Sequence, residues 1–95
     1  MSDDRIARRL VISGRVQGVW YRGWTVDQAR ALGLDGWVRN RTDGTVEIVV
    51  AGPADAVERL TALCEQGPRD ARVDGIEATS VPDPGATGFG QRATV

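Results

Sequence analysis

Residues 9–33 read RLVISGRVQGVWYRGWTVDQARALG, and this stretch determines the fold because a strand pattern passes within a few residues into a helix pattern. The consecutive apolar residues at 10–12 are typical of a central strand that is buried on both faces, so we predict the first strand over Arg9 to Gly14. Trp24 to Leu32 predicts a helix, and a glycine follows at the position where glycine commonly ends one. The loop over 14–22 therefore opens into the N-terminus of a helix.

The elements after this stretch continue the alternation of strands and helices. Asp43-Gly44 is a strong hairpin signal, because glycine accepts a positive φ without steric cost. The predicted elements are a strand over Gly36 to Asn40, a strand over Thr45 to Ala51, a helix over Pro53 to Glu65, a long strand over Ala71 to Val81 with a bend at Gly75, and a strand over Phe89 to Val95. The order βαββαβ plus a short terminal strand predicts an α+β fold, with two helices on one face of a mostly antiparallel sheet.

Two residue types are missing from the composition. The chain has 95 residues and no histidine, and all twelve of its basic residues are arginine. Without histidine there is no Ser-His-Asp triad, no imidazole base and no histidine-ligated metal. Without lysine there is no Walker A loop and no Schiff base. Catalysis would have to use arginine, asparagine, carboxylates, hydroxyls or backbone N–H groups.

The charges bound the class of partner. The formal net charge is −1, which argues against a nucleic-acid partner. Residues 1–30 carry six arginines and three acids, whereas residues 31–95 carry six arginines and ten acids, so the basic first third hints at an anion site. Cys64 is the only cysteine and falls on the apolar stripe of the second predicted helix, so we expect a core residue and a reducing, cytoplasmic location. No apolar run is long enough to predict a membrane span.

The loop between the first strand and the first helix carries the chemistry. Gly14 and Gly18 let the backbone curl, and successive N–H groups in such a curl can form an anion-binding nest. The helix N-terminus that follows also favours an anion. Arg22 lies at this entrance, and its guanidinium can contact two oxygens of a phosphate. The pattern indicates a small phosphate cradle with one cation.

The nine residues over 14–22, GRVQGVWYR, resemble the signature of the acylphosphatase family: glycine, basic residue, Val-Gln-Gly-Val, any residue, aromatic, Arg. Residues 36–47 are similar to the second block of that family, in which an asparagine ends the second strand, and 89–92 to a weaker feature near the C-terminus. The resemblance runs from about residue 7 to residue 94. Departures from the pattern are small: Tyr21 where phenylalanine is common, Thr42 where many bacterial members have proline, and Gly23 and Trp24 where longer polar residues are common.

This resemblance implies a hydrolase that cleaves acyl phosphates to a carboxylate and inorganic phosphate, without metal or cofactor. It implies a ferredoxin-like α/β sandwich, which we expect as a monomeric single domain over residues 1–95 with 1–6 as a flexible tail. Its partners would be the small-molecule substrate and phosphate alone. The residues carried over are Arg22 for phosphate binding, Asn40 for positioning the attacking water, and the backbone N–H groups of Arg15, Val16, Gln17, Gly18, Val19, Trp20 and Tyr21 for the phosphate-binding loop.

Three other functions compete with this interpretation. The same fold could serve as a non-catalytic anion or nucleotide-binding module, as a domain like the N-terminal part of a hydrogenase maturation carbamoyltransferase, or as an RNA-binding module. The acidic balance and the lack of an aromatic motif on the sheet disfavour RNA. We expect Trp20, Trp24 and Trp37 to be packing or groove-lining residues, and Arg39 and Arg41 to be solvated.

Overall fold

The computed structural model describes residues 4–95, which form five strands and two helices. Their bounds are β1 (Arg5–Arg15), α1 (Tyr21–Ala31), β2 (Asp35–Asn40), β3 (Val46–Pro53), α2 (Ala54–Gln66), β4 (Arg72–Ser80) and β5 (Phe89–Gln91). The strands make one sheet in the order β4-β1-β3-β2-β5, and every neighbouring pair is antiparallel except β2 and β5. The predicted element order and the ferredoxin-like α+β fold are confirmed.

The topology consists of two interleaved strand–helix–strand units. β1, α1 and β2 form one unit, and β3 lies between its two strands; β3, α2 and β4 form the other, with β1 between its strands. Both helices therefore cover the same face of the sheet. The buried core on this face is Leu10, Ile12, Val16, Tyr21, Val26, Ala29, Leu34, Val38, Val46, Ile48, Val50, Val57, Leu60, Cys64 and Phe89. Among the described residues, no helix is long and apolar enough to cross a membrane.

The first strand differs from its prediction in length and burial. β1 begins at Arg5, which pairs with Pro53 of β3, so residues 5 and 6 are not part of a tail. In the rest of the predicted tail, the carbonyl of Asp4 accepts a hydrogen bond from the N–H of Ala54 at 3.2 Å, and Met1 to Asp3 lie outside the described residues. Leu10 and Ile12 are buried but Val11 is only partly buried, so the prediction of burial on both faces is wrong for β1. The strand that is buried on both faces is β3, since it lies at the centre of the sheet.

Two other boundaries differ from the sequence prediction by more than two residues. α1 begins at Tyr21 rather than Trp24, so Gly23 and Trp24 lie in its first turn. The last strand ends at Gln91 rather than Val95. Beyond it the backbone still follows β2 through isolated bonds, because the N–H of Val95 donates to the carbonyl of Asn40 at 3.3 Å. The predicted bend in β4 is confirmed as a register irregularity opposite Ser13 and Gly14.

Glu47 of β3 is a buried carboxylate on the face of the sheet away from the helices. The guanidinium of Arg9 lies 2.5 Å from it and that of Arg39 lies 2.7 Å from it. Burial alone would raise the pKa of Glu47, but the hydrogen bonds from the two arginines outweigh burial and lower it. The guanidinium groups of Arg39 and Arg92 both lie over the ring of Trp37, at 4.6 and 4.7 Å from its centroid. Arginine and tryptophan side chains thus cover the centre of this face.

Gly36 is required where β2 approaches β3. Its φ is +134°, and a Cβ there would lie far inside 3.0 Å of the carbonyl oxygen of Val49. We expect Gly36→Ala to lower the free energy of unfolding by at least about 2 kcal/mol, because the backbone of β3 has no room to move. Urea unfolding followed by circular dichroism measures this loss.

Gly90 on the neighbouring strand β5 provides the matched control. A Cβ at Gly90 meets nothing within 4 Å. Gly90→Ala should therefore change the free energy of unfolding by no more than about 0.5 kcal/mol. Equal effects of the two substitutions would contradict the close approach at Gly36.

Candidate active site

A small cavity lies where the loop after β1, the first turn of α1 and the end of β2 meet. Its volume is about 130 Å³, and its lining residues are Val16, Gln17, Gly18, Trp20, Tyr21, Arg22, Gly23, Asn40 and Gln91. The structure therefore brings Arg22, Asn40 and five of the seven predicted loop residues to one cavity. Of the remaining two, Val19 packs on the core, and Arg15 is the last residue of β1 with an exposed side chain.

The loop over residues 16–20 curls without using its own backbone donors. Gly18 and Trp20 have φ values of 73° and 66°, in the left-handed region. Among the described residues, no N–H group of residues 16–20 donates a hydrogen bond to a backbone or side-chain acceptor. Unpaired N–H groups in a curled loop form the kind of concavity that binds anions. The loop thus has free donors and left-handed residues, as the predicted nest requires.

Tyr21 fixes the end of this loop in the core. Its side chain is buried, and its hydroxyl donates a 2.6 Å hydrogen bond to the carbonyl of Cys64 in α2. Its ring meets that of Trp24 edge-on, with the centroids 5.4 Å apart. Burial raises the pKa of Tyr21 far above its ordinary value, so the hydroxyl stays protonated. The aromatic residue of the motif anchors the loop and takes no part in acid–base chemistry.

Arg22 lies in the first turn of α1, where the electrostatic field favours an anion. This turn contains no acidic residue, and Arg22 forms no ion pair within residues 4–95. The partial positive charge of the helix N-terminus is therefore not neutralised there, and Arg22 adds a full charge. The arrangement can hold a small dianion.

Gln17 connects the loop to the turn that follows β2. Its Nε2 donates hydrogen bonds to the carbonyl of Arg41 at 2.8 Å and to that of Thr45 at 2.9 Å. We predicted only a backbone role for Gln17, and the sequence contains no signal for this contact. The side chain holds the two halves of the cavity at a fixed separation.

Asn40 is the last residue of β2 and also lines the cavity. Its Oδ1 is the single buried side-chain oxygen or nitrogen in the described part of the chain without a hydrogen-bond partner. A buried polar atom with no partner is costly, and in native structures it commonly marks a functional group. Asn40 therefore lines the cavity and carries an acceptor that no donor among the described residues satisfies.

The turn after Asn40 is rigid. Asp43 accepts hydrogen bonds from the backbone N–H of Thr45 at 2.9 Å and from its hydroxyl at 2.6 Å, which confirms its structural role in the turn. These bonds lower the pKa of Asp43. Thr42 donates its N–H to the carbonyl of Val95 at 2.7 Å, a bond that proline at this position could not make. The departure from the family pattern at Thr42 therefore adds a tie between this turn and the end of the chain.

The other grooves and reactive groups of the described residues do not combine the predicted catalytic side chains. Two larger grooves, of about 520 and 550 Å³, contain neither Arg22 nor Asn40. The first groups Arg30 with residues around Gly36, and the second lies on the open sheet face beside Arg41. Residues 4–95 contain no group of three or more histidine, cysteine or acidic side chains that could hold a metal. Cys64 is buried as predicted, and burial raises the pKa of its thiol to about 12.

Comparisons with known proteins give matches that cover most of the chain. The chain matches the family model described as Acylphosphatase over residues 8–90. The acylphosphatase of Rhizorhabdus wittichii is 59% identical over 92 residues, which cover 97% of this chain and 93% of the relative. The acylphosphatase structure from Coxiella burnetii is similar with a TM-score of 0.90 at 31% identity and covers 94% of both chains. That from Bacillus subtilis gives 0.88 at 33% identity, covering 92% of this chain and 98% of the other.

The contact of Gln17 makes a testable prediction about anion binding. Gln17→Met keeps the length of the side chain but removes both donated hydrogen bonds, so the loop is released from the turn at Arg41 and Thr45. We expect the dissociation constant for inorganic phosphate to rise about tenfold, as two hydrogen bonds no longer fix the nest. Isothermal titration calorimetry measures the constant, and amide hydrogen exchange of residues 16–20 should become faster.

Gln66, exposed near the end of α2, provides a control of the same chemistry. Gln66→Met should leave both the dissociation constant and the exchange rates unchanged. If Gln17→Met binds phosphate as tightly as wild type, Gln17 does not position the loop.

Proposed function

Because this chain belongs to the acylphosphatase family, we propose that Arg22 and the N–H groups of the loop over 15–21 hold the phosphoryl group, while Asn40 positions the attacking water. The chain hydrolyses acyl phosphates to a carboxylate and inorganic phosphate. The assignment of these roles to individual residues is the content of the proposal.

The substrate makes small demands on the protein. The leaving group of an acyl phosphate is a carboxylate, whose conjugate acid has a pKa of about 4–5. It leaves at neutral pH without a general acid. Phosphoryl transfer then requires in-line placement of the nucleophile and stabilisation of charge on the equatorial oxygens. Amide donors and a single guanidinium can supply both.

One observation supports the division of roles most directly. Arg22, most of the loop with free N–H groups, and Asn40 line the same cavity, and Asn40 carries a buried oxygen that has no partner. The first group consists only of donors, which suit phosphoryl oxygens. The second offers an acceptor, which suits the hydrogen of a water molecule. Donors and an unpartnered acceptor thus belong to residues that line the same small cavity.

The chemical step follows from this placement. The water oxygen attacks phosphorus, the bond from phosphorus to the acyl oxygen breaks, and the carboxylate departs with the bonding electrons. One proton of the water passes to a phosphoryl oxygen of the substrate. The cavity lining contains no carboxylate, and the hydroxyl of Tyr21 is committed to Cys64, so the substrate itself is the available base. An enzyme group that titrates between pH 5 and 8 in kcat/KM would contradict this route.

Arg22→Ala tests the phosphate site. The substitution removes the sole cation among the residues that line the cavity, so kcat/KM for benzoyl phosphate should fall by at least about 10³-fold. Inhibition by inorganic phosphate should weaken in parallel. Arg59, exposed on α2, provides the matched control, and Arg59→Ala should retain full activity. Activity that survives Arg22→Ala, or that is lost on adding a chelator, would contradict the proposed site.

Asn40→Ala tests the position of the water. We expect kcat to fall by about 10²–10³-fold, the usual cost of one positioned polar contact, while inhibition by inorganic phosphate is retained. The contrast with Arg22→Ala separates the two roles. If both substitutions weaken phosphate inhibition equally, Asn40 is a phosphate ligand rather than a water-positioning residue.

The finer physiological setting is also part of the proposal. The monomeric state stays a prediction from the family resemblance. The single cysteine is free and buried, which fits a reducing cytoplasm. A non-catalytic phosphate-binding module would share the cavity but release no phosphate from benzoyl phosphate.

A further inference from the structure

Trp20 is the largest exposed apolar side chain in the described part of the chain, and it lines the cavity. Its side chain is 64% exposed, whereas the other large aromatic residues of the loop and of α1, Tyr21 and Trp24, are buried or packed on the core. Tryptophan rarely leaves so much of its apolar surface in water without a partner. This exposed surface lies directly beside the proposed phosphate site.

The backbone of Trp20 is held in an unfavourable conformation. Its φ of 66° is the one positive value at a non-glycine residue within residues 4–95. A bulky side chain in the left-handed region costs free energy, and such strain is retained mainly at functional positions. Glycine would adopt the same turn without this cost. The turn itself therefore gives no reason for a tryptophan.

Gly23 makes room for the indole. A Cβ at Gly23 would lie well inside 3.0 Å of the indole Nε1 of Trp20, so the ring rests on the bare backbone of the first turn of α1. The first turn of α1 therefore leaves space for the ring beside the cavity. Position 23 commonly has a longer polar residue in the family pattern. The glycine found here leaves the space that the indole of Trp20 occupies.

The volume of the cavity indicates what Trp20 meets. A cavity of about 150 Å³ holds one benzene molecule in a protein core. The cavity here, about 130 Å³, can hold a phosphoryl group and a water but not an aromatic acyl group in addition. The acyl group must therefore lie at the rim. Arg22 is the single charged lining residue and is used by the phosphoryl group, so a charged acyl group finds no partner in the lining.

We propose that the indole of Trp20 contacts the acyl group of the substrate and selects acyl phosphates with an aromatic or extended apolar acyl group over small ones. The inference rests on the proposed function, because the phosphoryl group must occupy the cavity for the acyl group to reach the indole. Trp20 is then a specificity-determining residue through its side chain, in addition to its backbone N–H in the loop.

The test compares wild type with Trp20→Asn and Trp20→Phe. Asparagine tolerates a positive φ, so it preserves the turn, and phenylalanine restores an aromatic face. The first readout is the ratio of kcat/KM for benzoyl phosphate to that for acetyl phosphate. The second is the ratio of the dissociation constants of methylphosphonate and benzylphosphonate, measured by calorimetry, which requires no reaction. Circular dichroism verifies the fold of each variant.

Both ratios should favour the aromatic ligand in wild type and fall about tenfold in Trp20→Asn, the effect of losing one aromatic contact, with most of the preference kept in Trp20→Phe. An unchanged ratio in Trp20→Asn, or an equal loss for both ligands, would overturn the proposal, since Trp20 would then act only through the loop. Failure of the proposed function is a different result, in which Arg22→Ala retains activity while the Trp20 ratios are still measurable.

Discussion

The loop between β1 and α1 has to keep its N–H groups free of internal partners, and the surrounding structure compensates for this. A curled backbone without internal hydrogen bonds is not stable by itself. Three contacts hold it: buried Val16 at its start, the hydroxyl of Tyr21 on the carbonyl of Cys64 at its end, and the side chain of Gln17 on the turn after β2. These contacts with the core and with the turn thus hold the loop in a conformation that leaves its N–H donors unpaired at the surface. The candidate site depends on this conformation.

The absence of histidine and lysine agrees with a site of this kind. Backbone amides, one guanidinium and one carboxamide keep the same charge across the physiological pH range. An acyl phosphate needs neither a strong base nor a proton donor, because its leaving group is already a weak base. In the proposed mechanism Arg22 and Asn40 act through their positions, so hydrogen bonds such as those at Asp43, which hold the turn in place, matter more than acid–base tuning.

The sequence predicted the order of elements, the hairpin at Asp43-Gly44, the apolar stripe of α2 and the convergence of Arg22 with Asn40. Those features depend on local patterns or on the motif. The predicted start of α1 was wrong because Trp20 adopts a left-handed conformation, which residue propensities for secondary structure do not anticipate. The prediction that β1 is buried on both faces was wrong. Exposure on the open face depends on where a strand lies in the sheet, and the apolar pattern at residues 10–12 carries no information about that position. The hydrogen bonds that Gln17 donates could not be predicted, since their acceptors lie more than twenty residues away in the sequence.

The topology explains why Arg22 and Asn40 meet although eighteen positions separate them in the sequence. β1 and β2 run in the same direction because each is antiparallel to β3, which lies between them. Their carboxyl ends therefore reach the same edge of the sheet, about 10 Å apart, since each strand spacing is about 4.8 Å. That distance is too long for direct contact between the two backbones and leaves room for a small cavity that is lined from both strand ends. The inserted strand β3 thus sets the width of the cavity, and Gln17, which bonds the residue preceding β3, holds the loop at that width.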